Sequence, residues 1–264
     1  MKPYIDIFDA VTEEGKPFQY EKHSHDFFEI YCFLEGDAEY TVEGRRYPLN
    51  PGDLVLLRRG EVHKLERLSL QRYRRIGVHF DPTNTPDFFP VSHLLSPFLQ
   101  RPSGKFNHYP ANLFPGNHWL HYLKQIAKNE YNTKIQLCYL LSLLCELTDA
   151  FPVLQQSKQS TEKDPATPIM KYINNHLSEE LSLSSLAEKF YMSQTHLNRL
   201  FRQSANITVW EYITIKRLFL AKELIAEGNA PTKIYTNCGF REYSTFFRAY
   251  KRQFGVPPSF HTNI

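Results

Sequence analysis

Four residues near the start of the chain have the types and spacing to hold a ligand: His23, His25, Glu29 and His63. On an extended strand, residues of equal parity share a face, so His23, His25, Phe27, Glu29 and Tyr31 align. Two imidazoles and a carboxylate, joined by a distant third imidazole, suit zinc, iron, nickel or manganese. The same group, with Tyr31 added and walls from Phe27 or Phe33, equally suits hydrogen bonding and stacking to a sugar. Ordinary histidines at a polar rim are the third reading, and all three stand at this point. Arg72, Arg74 and Arg75 form a basic run that either meets an acidic effector or is a solvated strand face.

A second group of residues, near the C-terminus, suits a polyanion. Ser182 can cap a helix with apolar positions at Leu183, Leu186, Ala187 and Phe190, and Ser193 can cap the next, with Leu197, Leu200 and Phe201 inward. Gln194, Thr195, Asn198, Arg199 and Arg202 then face outward, the types that reach base edges and phosphates. The pattern recurs. Pro231 opens a helix containing Ile234 and Cys238, Gly239-Phe240 makes a turn, and a last helix carries Phe246, Phe247, Tyr250 and Phe254. Its polar positions include Glu242, Tyr243, Ser244, Arg248, Lys251 and Arg252. Between the two pairs, Thr208 to Glu227 reads as one helix of roughly 30 Å. Adjacent major-groove segments on one face of B-DNA are about 34 Å apart, so one chain can fill both.

The elements that must position these residues fall into three regimes. Residues 5–90 read as short strands with turns at Glu43-Gly44-Arg45-Arg46 and Asn50-Pro51-Gly52-Asp53, and Leu54–Leu57 as a buried strand. Residues 117–151 read as helical, with Leu137, Leu140, Leu141, Leu144 and Leu147 on a wide apolar stripe. The segment 155–167 is polar and reads as a linker. From Pro168 onward there are 12 Lys+Arg against 7 Asp+Glu, leaving 19 against 21 in front, so the basic balance lies in the tail. The four cysteines are scattered, which excludes a disulfide framework and a zinc-finger spacing. No signal-peptide pattern opens the chain, and the apolar stretch Ile135–Leu147 is too short to cross a membrane, so a cytoplasmic protein is expected.

The tail resembles the C-terminal domain of AraC/XylS-type transcription regulators through Leu186-Ala187, Ser193, His196-Leu197, Arg199, Phe201, Tyr212-Ile213, Arg217, Ala221, Leu224, Ile234, Gly239-Phe240, Phe246, Arg248, Lys251, Phe254-Gly255 and Pro258. The resemblance implies that Thr195, Asn198 and Arg199 read bases from the first unit. Tyr243, Ser244 and Phe247 then face DNA from the second, with Arg248 supporting them. Asn206 stands where that family usually has Gly, and Tyr235 where it usually has Ala, which is expected to tilt the last helix. At the front, His23-x-His25-x3-Glu29-x6-Gly36 and Gly52-x7-Gly60-x2-His63 resemble the two motifs of the cupin barrel, whose metal ligands would fall on His23, His25, Glu29 and His63. Arg58 and Arg67 depart from the second motif.

The expected protein is therefore multidomain. Residues 1–154 form an all-β cupin-like barrel with a helical extension at about 117–151, followed by the linker 155–167 and an all-α domain over 168–264 with two helix-turn-helix units. The expected function is sequence-specific transcription regulation, by activation or by repression, switched by a small molecule held by His23, His25, Glu29, Tyr31 and His63. Sugar is the analogy the resemblance supplies. No cofactor and no catalysis are expected; the alternative is a metal-dependent cupin enzyme or metal-linked sensor using His23, His25, Glu29 and His63. Promoter DNA, RNA polymerase and a second copy of the chain, docked through 117–151 around Leu137, Leu141 and Leu144, are the expected partners.

Overall fold

The computed structural model describes residues 5–16, 23–82, 91–157, 165–205 and 207–263, and Asn206 and most of the expected linker lie outside them. The chain divides into two compact units, residues 1–162 and 163–264.

Among the described residues, the first unit contains eight strands in two sheets. The larger sheet contains β1 (Ile5–Thr12), β2 (Phe28–Glu35), β5 (Leu54–Leu57), β7 (Tyr73–Phe80) and β8 (His108–Tyr109), in the order β1-β7-β2-β5-β8. The smaller contains β3 (Ala38–Val42), β4 (Arg45–Pro48) and β6 (His63–Arg67), in the order β4-β3-β6. The predicted hairpin is the β3–β4 connection. Val42 pairs with Arg45, and Glu43 and Gly44 both take positive φ, as a two-residue turn that follows strand twist requires.

Period-two alternation sends the two faces of the large sheet to different cores. Tyr31, Phe33, Val55, Leu57 and Tyr73 meet Ala38, Tyr40, Val42, Tyr47 and Leu65 between the sheets. Ile30, Cys32, Leu54, Leu56, Ile76 and Val78 point the other way, onto the helices. All four residues of β5 are therefore fully buried, as the unbroken apolar run foretold.

Those helices are α1 (Val91–Leu94), α2 (Ser96–Leu99), α3 (His118–Lys128) and α4 (Thr133–Gln156). The region read as helical is divided at Asn129–Asn132, and Asn132 caps α4 by accepting a hydrogen bond from the Ile135 amide. α4 also outruns the expected end at residue 151, passing through Pro152, because Leu154 is anchored in the core at 1% exposure. At this length α4 is apolar and long enough to cross a membrane, but Leu140, Leu143, Leu144 and Leu147 are packed into the core of their own unit. Leu144, expected at a subunit seam, is consequently out of reach of a second chain.

The second unit contains six helices among the described residues: α5 (Thr167–Asn175), α6 (Leu183–Lys189), α7 (Gln194–Ala205), α8 (Val209–Ala226), α9 (Pro231–Ile234) and α10 (Tyr243–Phe254). Ser182 and Thr208 cap α6 and α8 with reciprocal capping boxes. α8 is the long connecting helix, at about 27 Å. The expected helix through Cys238 stops at Ile234, since Tyr235–Asn237 are weak helix formers, and Gly239 ends the turn at φ +78°.

Candidate effector site and nucleic-acid interface

The predicted ligand group converges at the end of the space between the sheets. His23 and His63 exchange backbone hydrogen bonds at 3.2 and 3.1 Å, which brings their rings together with 3.3 Å between the Nε2 atoms. Glu29 lies in the centre of the large sheet, and its Oε2 is 2.7 Å from His25 Nε2 and 4.0 Å from His63 Nε2. One member was missed from sequence. His79 pairs with Glu29 in the β2–β7 register, and its Nε2 is 3.6 Å from the Glu29 carboxylate.

The expectation of one continuous strand from His23 to Tyr31 does not hold. His25 Nδ1 donates to the Phe27 carbonyl at 3.0 Å, closing a bend, and β2 begins only at Phe28. The bend lays the Phe27 ring flat on His25, with centroids 3.9 Å apart and planes at 8°, and sets it 4.2 Å from His79. Tyr31 does share the parity of Glu29 but lies deeper. It is fully buried with its hydroxyl bonded to that of Tyr73, so it forms part of the floor rather than the lining. Phe33 is likewise sealed between the sheets.

Electrostatics fix the character of the cluster. Burial, reinforced by His25, pushes His63 down to about 3, so its ring is neutral. Burial alone would raise Glu29, yet hydrogen bonds from His25 and His79 hold its carboxyl well below the usual range. His63 Nδ1 donates to the Glu61 carbonyl at 2.8 Å, which leaves its Nε2 as an acceptor facing His23 Nε2, 3.3 Å away. Both nitrogens of His25 face acceptors, Nδ1 the Phe27 carbonyl and Nε2 the Glu29 carboxylate. Donor atoms of His23, His25 and His63, and separately of His25, Glu29 and His79, lie within 4.8 Å of one another, close enough for a metal.

Glu61 is held in turn by Arg101, which binds both carboxylate oxygens at 2.6 and 2.7 Å and donates to the Leu56 and Pro97 carbonyls. That buried pair fastens the turn carrying His63. The other basic group, Arg72, Arg74 and Arg75, is already engaged. Arg72 and Arg74 pair with Glu35 and Asp9, and Arg75 lies over the Phe8 ring.

In the second unit, α7 exposes Gln194, Thr195, Arg199 and Arg202. Asn198 is half-buried, and its amide oxygen accepts from the Val209 amide at 3.3 Å, tying α7 to the start of α8. His196, part of the family resemblance but given no DNA-contacting role there, is exposed and 3.2 Å from Arg199. On α10, Ser244, Arg248 and Lys251 are exposed, with Thr245 and Arg252 beside them, whereas Tyr243 and Phe247 are half-buried. Tyr235, expected to tilt α10, lays its ring edge-on to Tyr243, at 5.7 Å. Within the second unit, Arg217 of α8 joins the two helix-turn-helix pairs. It donates to the Leu177 and Glu179 carbonyls ahead of α6, and Gly239 packs against its guanidinium.

A two-sheet domain with recessed ligand-type side chains, carried on one chain with paired helix-turn-helix units, defines a regulator that reads both DNA and a small molecule. Residues 10–114 match the AraC-like ligand binding domain, and residues 186–262 match a helix-turn-helix domain. The chain belongs to the AraC-type transcription regulators. It is 25% identical to the probable transcriptional regulator LumQ of Photobacterium leiognathi over 240 residues, covering 90% of each chain. It is 25% identical to the Msm operon regulatory protein of Streptococcus mutans, over 89% of this chain and 83% of that one. Against the transcriptional activator RhaS of Enterobacter sp. the identity is 25%, over 90% and 86%.

Proposed function

We propose that this regulator acts in the cytoplasm as a transcription activator whose DNA affinity is set by a small polar metabolite, a sugar or a close relative. The metabolite docks on His23, His25, Glu29, His63 and His79. The observation that carries this reading is the Phe27 ring, stacked on His25 and tilted against His79 beside a recessed carboxylate, an apolar wall next to hydrogen-bonding groups. The aromatic floor of Tyr31, Tyr40 and Tyr73 keeps such a ligand at the rim. Gln194, Thr195, Arg199, Arg202, Ser244, Arg248 and Lys251 contact DNA, with Asn198, Tyr243 and Phe247 shaping the surfaces that present them. Two copies of the chain bind together through α4, and polymerase contact completes activation.

A specific observation favours a second reading, a metal-linked sensor. The acceptor lone pair on His63 Nε2 and the two-acceptor surroundings of His25 give a divalent ion a place between Glu29 and the imidazoles. Such an ion would add a Lewis acid at the rim.

Selection from random duplexes tests the main reading. A sequence-specific regulator enriches two half-sites and prefers them to random duplex by at least ~10³-fold. A sugar panel then shifts affinity in the native protein and not in His25→Ala. Enrichment of no sequence would refute the regulator. Enrichment with a response only to metal, at one bound equivalent, would replace the sugar by the ion.

A further inference from the structure

A cleft of about 1360 Å³ lies between the two helix-turn-helix pairs of the second unit. Its walls are the turn ahead of α6, the first half of α8 with Trp210, Thr214 and Leu218, and one flank of α10 with Thr245, Arg248 and Arg252. Leu218 is buried and floors the cleft, whereas Arg248 and Arg252 are exposed. Trp210 stands at its edge, 59% exposed, although Val209 and Tyr212 on either side of it in sequence are buried. The core of the unit thus leaves the indole to the cleft.

The cleft opens beside the DNA-reading side of α10. At about 100° per residue and counting from Thr245, Arg252 and Arg248 fall at about −20° and −60°, and Ser244 and Lys251 at about −100° and −120°. The core residues Ala249, Phe246 and Tyr250 lie the other way, at about +40° to +140°. Arg248 therefore belongs both to the cleft wall and to the DNA-reading side. The cleft also reaches toward α7. Hydrogen bonds from Thr208, and then the charges of Arg202 on α7 and Arg252 on α10, hold the Glu211 carboxyl below its usual range. The start of α8 is thus within reach of an arginine from each reading helix.

When α7 and α10 occupy adjacent major-groove segments, one minor groove runs between them, across the mouth of the cleft. That groove is about 6 Å wide, and its floor offers adenine N3 and thymine O2 as acceptors, where guanine projects an amino group. Arg248 and Arg252 suit the phosphates along its edge. Two of the acids in the cleft are already committed, Glu180 to Arg241 and Glu211 to the Thr208 cap. A flat indole fits between the sugars of a narrow groove, and its one N–H can donate to an acceptor on the floor.

We propose that Trp210 enters the minor groove between the two major-groove segments and makes the regulator prefer A·T to G·C base pairs there. The inference rests on the reading of α7 and α10 as the DNA-contacting helices, and it adds a third, sequence-selective contact between them.

The native full-length protein is tested on the duplex that selection returns, whose centre should be rich in A·T pairs. Replacing those central pairs by G·C weakens binding by about tenfold. Replacing them by inosine·C, which keeps the major-groove edge of G·C but lacks the minor-groove amino group, restores binding to within about threefold. Trp210→Ala binds the A·T duplex about tenfold more weakly and no longer distinguishes the three centres, while its base preferences in the two flanking segments persist and show that it is folded. As a second measurement, in a Trp119→Phe background only Trp210 emits, and the specific duplex quenches it. A native protein indifferent to the centre, a preference that survives Trp210→Ala, or an emission that ignores the duplex would each overturn the inference while leaving the regulator. Enrichment of no duplex at all would refute instead the DNA reading on which it rests.

Discussion

Gly239→Ala tests whether the two DNA-reading units are braced through Arg217. Gly239 has φ +78°, and a Cβ there would lie 2.4 Å from Arg217 Cζ and 2.5 Å from its Nε and Nη2. The left-handed backbone costs a non-glycine residue about 1–2 kcal/mol, of which about 0.4–1 kcal/mol is offset by the stiffer unfolded chain. The guanidinium must also move. It is 4% exposed and donates at 2.9 and 2.7 Å to the Leu177 and Glu179 carbonyls, and losing one such charged hydrogen bond costs about 1.5–3 kcal/mol. The substitution should therefore destabilise the C-terminal unit by about 2–4 kcal/mol. The two tryptophans sit one in each unit, so in a Trp119→Phe background the fluorescence of Trp210 follows urea unfolding of that unit alone. If Arg217 is the obstacle, the cost of Gly239→Ala shrinks by at least ~1 kcal/mol when Arg217→Met is already present. A loss below ~0.5 kcal/mol, or strictly additive effects in the double variant, would refute the brace.

Three further outcomes are expected. Arg199→Ala should weaken binding to the selected duplex by about 1–3 kcal/mol and relax preference at one base pair, as read by anisotropy on a set of single-base variants; an equal loss on every sequence would make Arg199 a phosphate contact. Arg101→Met takes the closer of two guanidinium partners from the buried Glu61 carboxylate, leaving Arg58 at 3.4 Å and the Asn107 amide, and should cost the N-terminal unit about 2–4 kcal/mol, measured by urea unfolding followed at Trp119; an unchanged midpoint would contradict it. Acid should destabilise the same unit. Burial lowers His63 from 6.5 to about 3, and Arg101 overcomes burial to lower Glu61 from 4.5 to about 2. Both groups bind protons more readily in the unfolded chain, so stability is full above pH 6.5 and falls below it, through His63 first and then Glu61. A urea midpoint that rose between pH 7 and pH 5 would show the sign to be wrong.

Much of the helical unit was legible because its signals are local. Ser182 and Thr208 stand at N-caps and Gly239 and Gly255 at left-handed turns, and the structure places helix ends beside each. The hairpin at Glu43-Gly44 and the buried strand Leu54–Leu57 were legible for the same reason. What could not be read depends on register between distant strands. His79 joins the cluster only because β2 pairs with β7, and no spacing within the chain announces that pairing. The same holds for Arg101, whose partner Glu61 is 40 residues away in the chain. Tyr31 had the right parity and the wrong depth, since parity assigns a face and not a distance from the rim. The outward face of α4 was obscured by a stripe so wide that its leucines seemed equally available, until packing took Leu144 and left Cys138 and Cys145 outside.

The pairing of Ile5 with Phe80 also bears on how the chain is made. The first strand cannot find its neighbour until residue 80 has left the ribosome, and the outer face of the large sheet stays bare until α4, ending at Gln156, has followed. At on the order of 5–20 residues per second, those 76 residues take roughly 4–15 s to synthesise. For that interval Ile30, Cys32, Leu54, Leu56 and Val78 form a greasy sheet with no cover. Nascent chains stalled between these two lengths should be the ones that a holding chaperone captures, and chains stalled after α4 has emerged should be released.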